Sequence, residues 1–348
     1  MRINIAQPSF RGNEKRYLLE VLRSTRLSMG EFVERFEKRL GNEQLGYAAV
    51  TVASGTAALH LALLALGLKP GQRVIVPACS YIATANAVRY CGATPIFVDV
   101  DPKTWTLPVE AALEAAEQHR AAGVILVDLY GTQAAGRRQA FPSRAWVLQD
   151  ACEAHGVPMY GDATVLSFYG NKIITCGEGG AVLSNDESVI DRVKKLRGQG
   201  QSARRYVHDV LGFNYRMTDL QAAIGLAQLE RLHDMLRVRR AVRFEYDSRL
   251  LDVRSQWRSA YAVEWVMPIL VSDRQRVADA LFSQGEIETR PVFPALNTQP
   301  IYRGGERMPV AEELARDGLL LPLHAEIGTK DVESVCALLS SVLTEVAA

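Results

Sequence analysis

Up to residue 197, short apolar runs and amphipathic stretches alternate along the chain. The runs at 48–52, 73–77, 94–99, 123–128, 145–149 and 165–169 are rich in Val, Ile, Leu and Phe and too short for buried helices, so they read as strands, and a further apolar run follows at 181–184. Between them, 14–22, 32–40, 57–66, 81–90, 109–118 and 188–197 carry the apolar spacing or the Ala/Leu content of helices, and Gly67 is placed to stop the third. Strands that are apolar throughout, alternating with helices, predict an α/β fold around a mostly parallel sheet buried on both faces. Such sheets bind ligands at the carboxyl ends of their strands.

Beyond residue 197 the rhythm changes. Residues 198–209 are polar and basic and read as a mobile loop, and 220–243 as one long Ala/Leu/Arg helix bridging two parts of the chain. A strand at 261–271, a helix at 274–283, a turn at 284–285, a strand at 286–290, a Pro/Asn-rich stretch at 291–309 and two final helical segments follow. The expected organisation is a large α/β domain over 1–244, including an N-terminal segment, and a smaller α+β domain over 245–348.

Composition narrows the class. The 348 residues are 48% hydrophobic and 23% charged with a net charge of +1, ordinary for a globular enzyme and without the basic field that nucleic acid or an anionic membrane surface calls for. No run is long enough to cross a bilayer, and the first eight residues lack the layout of a signal peptide. The five cysteines show no C-x-x-C spacing, so neither a metal site nor a disulfide framework is expected, and a cytoplasmic setting is.

Three places carry candidate chemistry. Lys172 follows the predicted strand 165–169 and has no charged residue within five positions on either side. A lysine there is either a snorkelling surface residue or an amine kept available for chemistry. Ser54-Gly55-Thr56 joins a strand to a helix N-terminus, where free N–H groups and the helix dipole attract a phosphate, although Ser is equally a good N-cap. Asp150 ends a buried strand, so it is either a capping residue or the partner of a cation on a ligand. A strand-end carboxylate, a lysine on the next strand's loop and an upstream phosphate nest together match pyridoxal 5'-phosphate, which needs a Schiff-base lysine and a carboxylate that keeps its ring nitrogen protonated. Ser167, just ahead of the lysine loop, is a further phosphate donor in this scheme.

Blocks in the same order extend over nearly the whole chain: 55–62 (GTAALHLA), 76–88 (VPACSYIATANAV), 92–101 (GATPIFVDVD), 150–156 (DACEAHG), the Lys172 loop, 212–225 (GFNYRMTDLQAAIG), 288–291 (ETRP) and 321–324 (LPLH). With these the chain resembles the DegT/DnrJ/EryC1/StrS sugar aminotransferases, pyridoxal phosphate enzymes of fold type I, the aspartate aminotransferase-like fold. Residues 7–9 (QPS), 167–172 (SFYGNK) and 206–209 (YVHD) are similar to its nucleotide-sugar 4-aminotransferase branch.

The resemblance implies that Lys172 forms the Schiff base, Asp150 pairs with the ring nitrogen, Glu153 lies near the ring's phenolic oxygen and Tyr81 stacks on the ring. It implies that Ser54, Gly55, Thr56 and Ser167 hold the phosphate, joined by Asn214 from the other subunit of a homodimer. His155, His324 and Ser24 are candidate substrate contacts, and for each histidine a core or capping role is an equal reading. Cys79 and Cys176 depart from the family pattern, and the segment 155–165 is shorter than usual.

The reaction implied is ping-pong transfer of an amino group from glutamate, through pyridoxamine 5'-phosphate, to a 4-keto nucleotide sugar for glycan synthesis. The alternatives are a 3-keto sugar or cyclitol ketone as acceptor, or a sugar dehydratase of the same fold. The family's dehydratases carry histidine at the lysine position, so Lys172 argues against the last.

Overall fold

The computed structural model describes residues 2–43, 46–136, 138–302 and 305–347, so part of the 291–309 stretch lies outside the described residues. Helices α1 (Glu14–Ser24) and α2 (Glu31–Glu43) lead into β1 (Ala48–Val52), α3 (Gly55–Ala65), β2 (Arg73–Pro77), α4 (Ala83–Tyr90), β3 (Thr94–Val98), α5 (Val109–Gln118) and β4 (Gly123–Val127). Then come β5 (Trp146–Asp150), β6 (Ala163–Ser167), β7 (Gly180–Ser184) and α6 (Glu187–Arg197). The expected strand–helix alternation is therefore present almost residue for residue.

The seven strands form one sheet in the order β1-β7-β6-β5-β4-β2-β3. All neighbours are parallel except around β7, which runs antiparallel to both β1 and β6. No helix separates β6 from β7, and a parallel return needs a long crossover, so the chain turns straight back. The turn, residues 168–179, carries Lys172. The reversal puts the start of β7 against the carboxyl ends of its neighbours, with Gly180 paired to both Val52 and Ser167. β4, β6 and β7 are buried at every position, the continuous apolar pattern of strands covered on both faces.

The expected single helix over 220–243 is instead two, α7 (Asp219–Leu229) and α8 (Leu232–Arg249). Glu230 and Arg231 break it where they bond the N-terminal segment: Glu230 accepts from Tyr17 Oη at 2.6 Å, and Arg231 Nη1 donates to Ser9 O at 2.9 Å. Neither Gly nor Pro marks the break, so periodicity could not reveal it. Residues 198–214 are not a free loop. Bridges pair Gly198 with Asn214 and Gln201 with His208, and a Cβ on Gly212 would lie 2.0 Å from Gly200 N.

The rest of the chain builds a three-stranded antiparallel sheet, β8 (Met267–Leu270), β10 (Gly318–Leu321) and β9 (Arg290–Pro291), with α9 (Arg274–Gly285), α10 (Pro309–Asp317) and α11 (Thr329–Ala347). The strands expected at 261–271 and 286–290 shrink to four and two residues. β10 was hidden, because a short Leu run ahead of a helix is ambiguous by pattern alone. α8 runs through residue 244, and Val242, Tyr246 and Leu250 on its second half pack with Met267, Ile269, Leu319 and Leu321 in a second core.

One buried carboxylate joins α2 to the frame. Asp219, first residue of α7, accepts from the N–H groups of Gly30 (2.8 Å), Val33 (3.1 Å) and Phe32 (3.4 Å), capping the α2 N-terminus from a distant part of the chain. Gly30 permits the approach, since a Cβ there would sit 2.2 Å from Asp219 Oδ2. Hydrogen bonds to charged groups are each worth about 1.5–3 kcal/mol. Asp219→Ala is therefore expected to lower unfolding stability by about 2–3 kcal/mol, read as a fall in the urea midpoint at constant slope.

Candidate active site

A cavity of about 460 Å³ opens at the carboxyl ends of the parallel strands. Ser54, Gly55, Thr56, Tyr81, Asp150, Glu153, Ser167 and Lys172 all line it.

The upstream wall is the α3 N-terminus. Ser54 has extended backbone, and its side chain accepts from Ala57 N at 3.1 Å, so it is an N-cap and a cavity residue at once. The first N–H groups of a helix have no intrahelical acceptor. Two glycines shape this cradle. A Cβ on Gly55 would approach Ser167 Cβ to 2.8 Å and Cys152 Sγ to 3.3 Å, and one on Gly180 would lie 2.4 Å from Ser54 O. A side chain at either position would push Ser167 or the Ser54–Gly55 backbone out of place.

Asp150, at the end of β5, is almost wholly buried. Its Oδ2 accepts from Thr84 Oγ1 at 2.9 Å, and Thr84 is in turn 2.9 Å from Ser80 Oγ. Its Oδ1 accepts from Cys152 N at 3.2 Å, the turn-capping role that was the plain reading of this residue. The carboxylate is thus fixed by two donors while still lining the cavity.

Lys172 lies opposite. Its Nζ is 3.3 Å from Glu153 Oε1 and 4.1 Å from the ring centroid of Trp265. Burial raises the Glu153 carboxyl, opposed by the Lys172 charge and by the Tyr130 N–H, which donates to Oε2 at 2.9 Å. Burial and the neighbouring Asp150 also hold the Cys152 thiol well above its ordinary range, so the cavity meets a neutral thiol beside the cradle. A carboxylate pair, one amine and a helix N-terminus fit pyridoxal phosphate: an anion cradle, a partner for a ring N–H and a nucleophile share one space.

The other candidates lie elsewhere. Asn214 is exposed and does not line this cavity. His155 is buried against the Phe168 ring, 5.5 Å between centroids, with both ring nitrogens lacking a protein partner. His324, beyond β10, accepts from Glu326 N at 3.2 Å. Ser24 is exposed at the end of α1, its hydroxyl donating to Val21 O. Cys79 and Cys176 are buried and do not line the cavity.

Three further residues reach the site without a sequence signal of their own. Trp265 arrives from the irregular segment before β8. Tyr130 has a left-handed backbone, φ 54°, that no periodicity announces. Thr84 sits inside a block quoted for its resemblance, but its contact with Asp150 spans 66 positions.

The chain matches the DegT/DnrJ/EryC1/StrS aminotransferase family over residues 8–340. It is 39% identical to a GDP-perosamine synthase of Escherichia coli O157:H7, with 96% of each chain covered, and 39% identical to one of Caulobacter vibrioides, with 98% of each covered. Among solved structures it resembles NtdA of Bacillus subtilis with bound cofactor PMP, at a TM-score of 0.88 and 28% identity, covering 95% of this chain and 81% of that one.

Burial pushes the His155 imidazole down to about 3 and that of His324 to about 4, from an ordinary 6.5. Both therefore stay neutral in the folded protein. Below about pH 6.5 the unfolded chain takes up protons that the native state refuses, so stability is full above that pH and is lost as pH falls towards the folded values. His155→Phe keeps the ring against Phe168 and should flatten this loss. The urea midpoint of the variant is expected to fall less between pH 6.5 and 4 than that of the parent, and parallel curves would assign the acid sensitivity elsewhere.

Proposed function

Because the chain belongs to the DegT/DnrJ/EryC1/StrS aminotransferase family, we propose that it is a pyridoxal phosphate-dependent enzyme that aminates the 4-keto group of a nucleotide-linked sugar. The observation that carries the chemistry is the Lys172 amine beside Glu153, in one cavity with buried Asp150 and the α3 cradle. Near-full-length similarity to two GDP-perosamine synthases supports the acceptor class.

When bound, pyridoxal phosphate supplies an aldehyde that exchanges with amines and a ring that takes up electrons. Asp150, braced by Thr84 and the Cys152 N–H, would accept the hydrogen bond of the ring nitrogen and keep it protonated. Ser54, Gly55, Thr56 and Ser167 would hold the phosphate at the helix N-terminus. Lys172 would anchor the cofactor and, once released, carry the proton between donor carbon and cofactor, with Glu153 3.3 Å away as its charge partner. Tyr81, packed against Phe293 at the cavity wall, would cover the ring face.

Glutamate is the proposed donor and the cytoplasm the proposed setting; among the described residues no helix is long and apolar enough to cross a membrane. Asn214 lies outside the cavity of its own chain, so its proposed phosphate contact is made to a second copy, in a homodimer that shares its sites.

Lys172→Ala should abolish the cofactor's lysine-bound absorbance and reduce transfer from glutamate to a 4-keto nucleotide sugar by about 10³-fold or more. Unchanged turnover in that variant would remove the central claim. The acceptor is read by mass spectrometry of a panel of 4-keto and 3-keto nucleotide sugars, where amination confined to the 3-keto compounds would reject the 4-keto assignment. Analytical ultracentrifugation of the holoenzyme should give a dimer, and a fully active monomer would contradict the shared site.

A further inference from the structure

We propose that Trp265 is the positioning residue that seats Lys172. This rests on Lys172 being the cofactor lysine. Trp265 is almost fully buried and touches the lysine in two ways: its ring centroid lies 4.1 Å from Nζ, and its Nε1 donates to the carbonyl of Asn171, the preceding residue, at 2.8 Å. One contact holds the end of the side chain and the other holds the backbone from which it springs.

Around the amine these contacts close into a ring. Lys172 meets Glu153 at 3.3 Å, Glu153 accepts from Tyr130 N at 2.9 Å, Tyr130 stacks on Trp265 at 6.1 Å and 19°, and Trp265 returns to Lys172. Trp265 is itself fixed from behind. Arg239 of α8, buried, donates from Nη1 to the carbonyls of Glu264 (3.2 Å), Trp265 (3.1 Å) and Leu323 (2.9 Å). A four-carbon stem without such a frame samples many rotamers, whereas a reacting group must be held close to its productive position. The seat therefore belongs to the part of the chain that builds the small sheet, although the lysine belongs to the large one.

Cofactor loading reads the seat directly. Lys172 Nζ in its neutral form adds to the aldehyde carbon of pyridoxal phosphate, a carbon–nitrogen double bond replaces the carbonyl, and the oxygen leaves with the two amine hydrogens as one water. Pyridoxamine phosphate has no aldehyde and binds through the cradle and Asp150 without this step. The full-length protein is stripped of cofactor, and capture of pyridoxal phosphate is timed by borohydride reduction and intact mass, while pyridoxamine phosphate affinity is measured by calorimetry.

Trp265→Phe keeps an aromatic face and loses the Asn171 bond, and it should slow capture by about 10-fold. Trp265→Leu loses both contacts and should slow it by about 100-fold, the scale of a displacement near 1 Å. Pyridoxamine phosphate affinity should stay within about twofold in both, as expected when only the amine has moved. Capture at the parental rate in both variants overturns the proposal, as does a parallel loss of pyridoxamine phosphate affinity, which would make Trp265 a general wall of the cavity. A parent protein that captures no pyridoxal phosphate at Lys172 overturns the underlying reading as well.

Discussion

An amine and two carboxylates, Lys172, Asp150 and Glu153, are held largely out of water at one end of a parallel sheet. Burying such groups costs several kcal/mol each unless every charge finds a partner. The arrangement around the site answers that constraint. Asp150 takes two donors, one from α4 and one from the backbone that follows it. Glu153 takes the Tyr130 N–H, which reaches it because Tyr130 adopts a left-handed backbone, and it faces the ammonium of Lys172. The asymmetry between the carboxylates is chemical. Asp150 keeps its donors whether or not Lys172 is charged, whereas Glu153 depends on that charge for part of its compensation.

The reversal of β7 makes this site possible within one sheet. A helical crossover would carry the lysine loop away over a face of the sheet. The direct return keeps 168–179 at the strand ends, tied by Cys176 N to Phe168 O and by Phe168 N to Gly179 O. It also lays Gly180 against the Ser54–Gly55 junction, where no side chain fits. The α3 N-terminus and the lysine loop thus come close together because two glycines allow the backbones and Ser167 to approach.

The small sheet contributes more than cover. α8 joins its core to the large sheet's surroundings, and Arg239 on that helix gathers three carbonyls from separate segments. One of them belongs to Trp265, whose ring closes the cavity over Lys172. The segment leading into the small sheet thus touches the amine directly.

Much of this was legible in the residues themselves. Strand and helix order up to residue 197, the carboxyl-end location of the site, and the gathering of Ser54, Asp150, Ser167 and Lys172 follow from local patterning, because strands buried on both faces must be apolar throughout and ligands collect where such strands end. Lys172 and Asp150 each allow a structural reading as well, and only their combination with the Ser54-Gly55-Thr56 junction points to chemistry. What tertiary structure decided are matters of direction and distance between remote segments: the reversal of β7, the break between α7 and α8, the short strand β10, the approach of Thr84, Tyr130 and Trp265, and the absence of Asn214, His155, His324 and Ser24 from the cavity wall. A periodic pattern records which face of an element is buried. It carries no record of which partner buries it, and Trp265 over Lys172, a contact between residues 93 positions apart in the chain, is where that difference matters most.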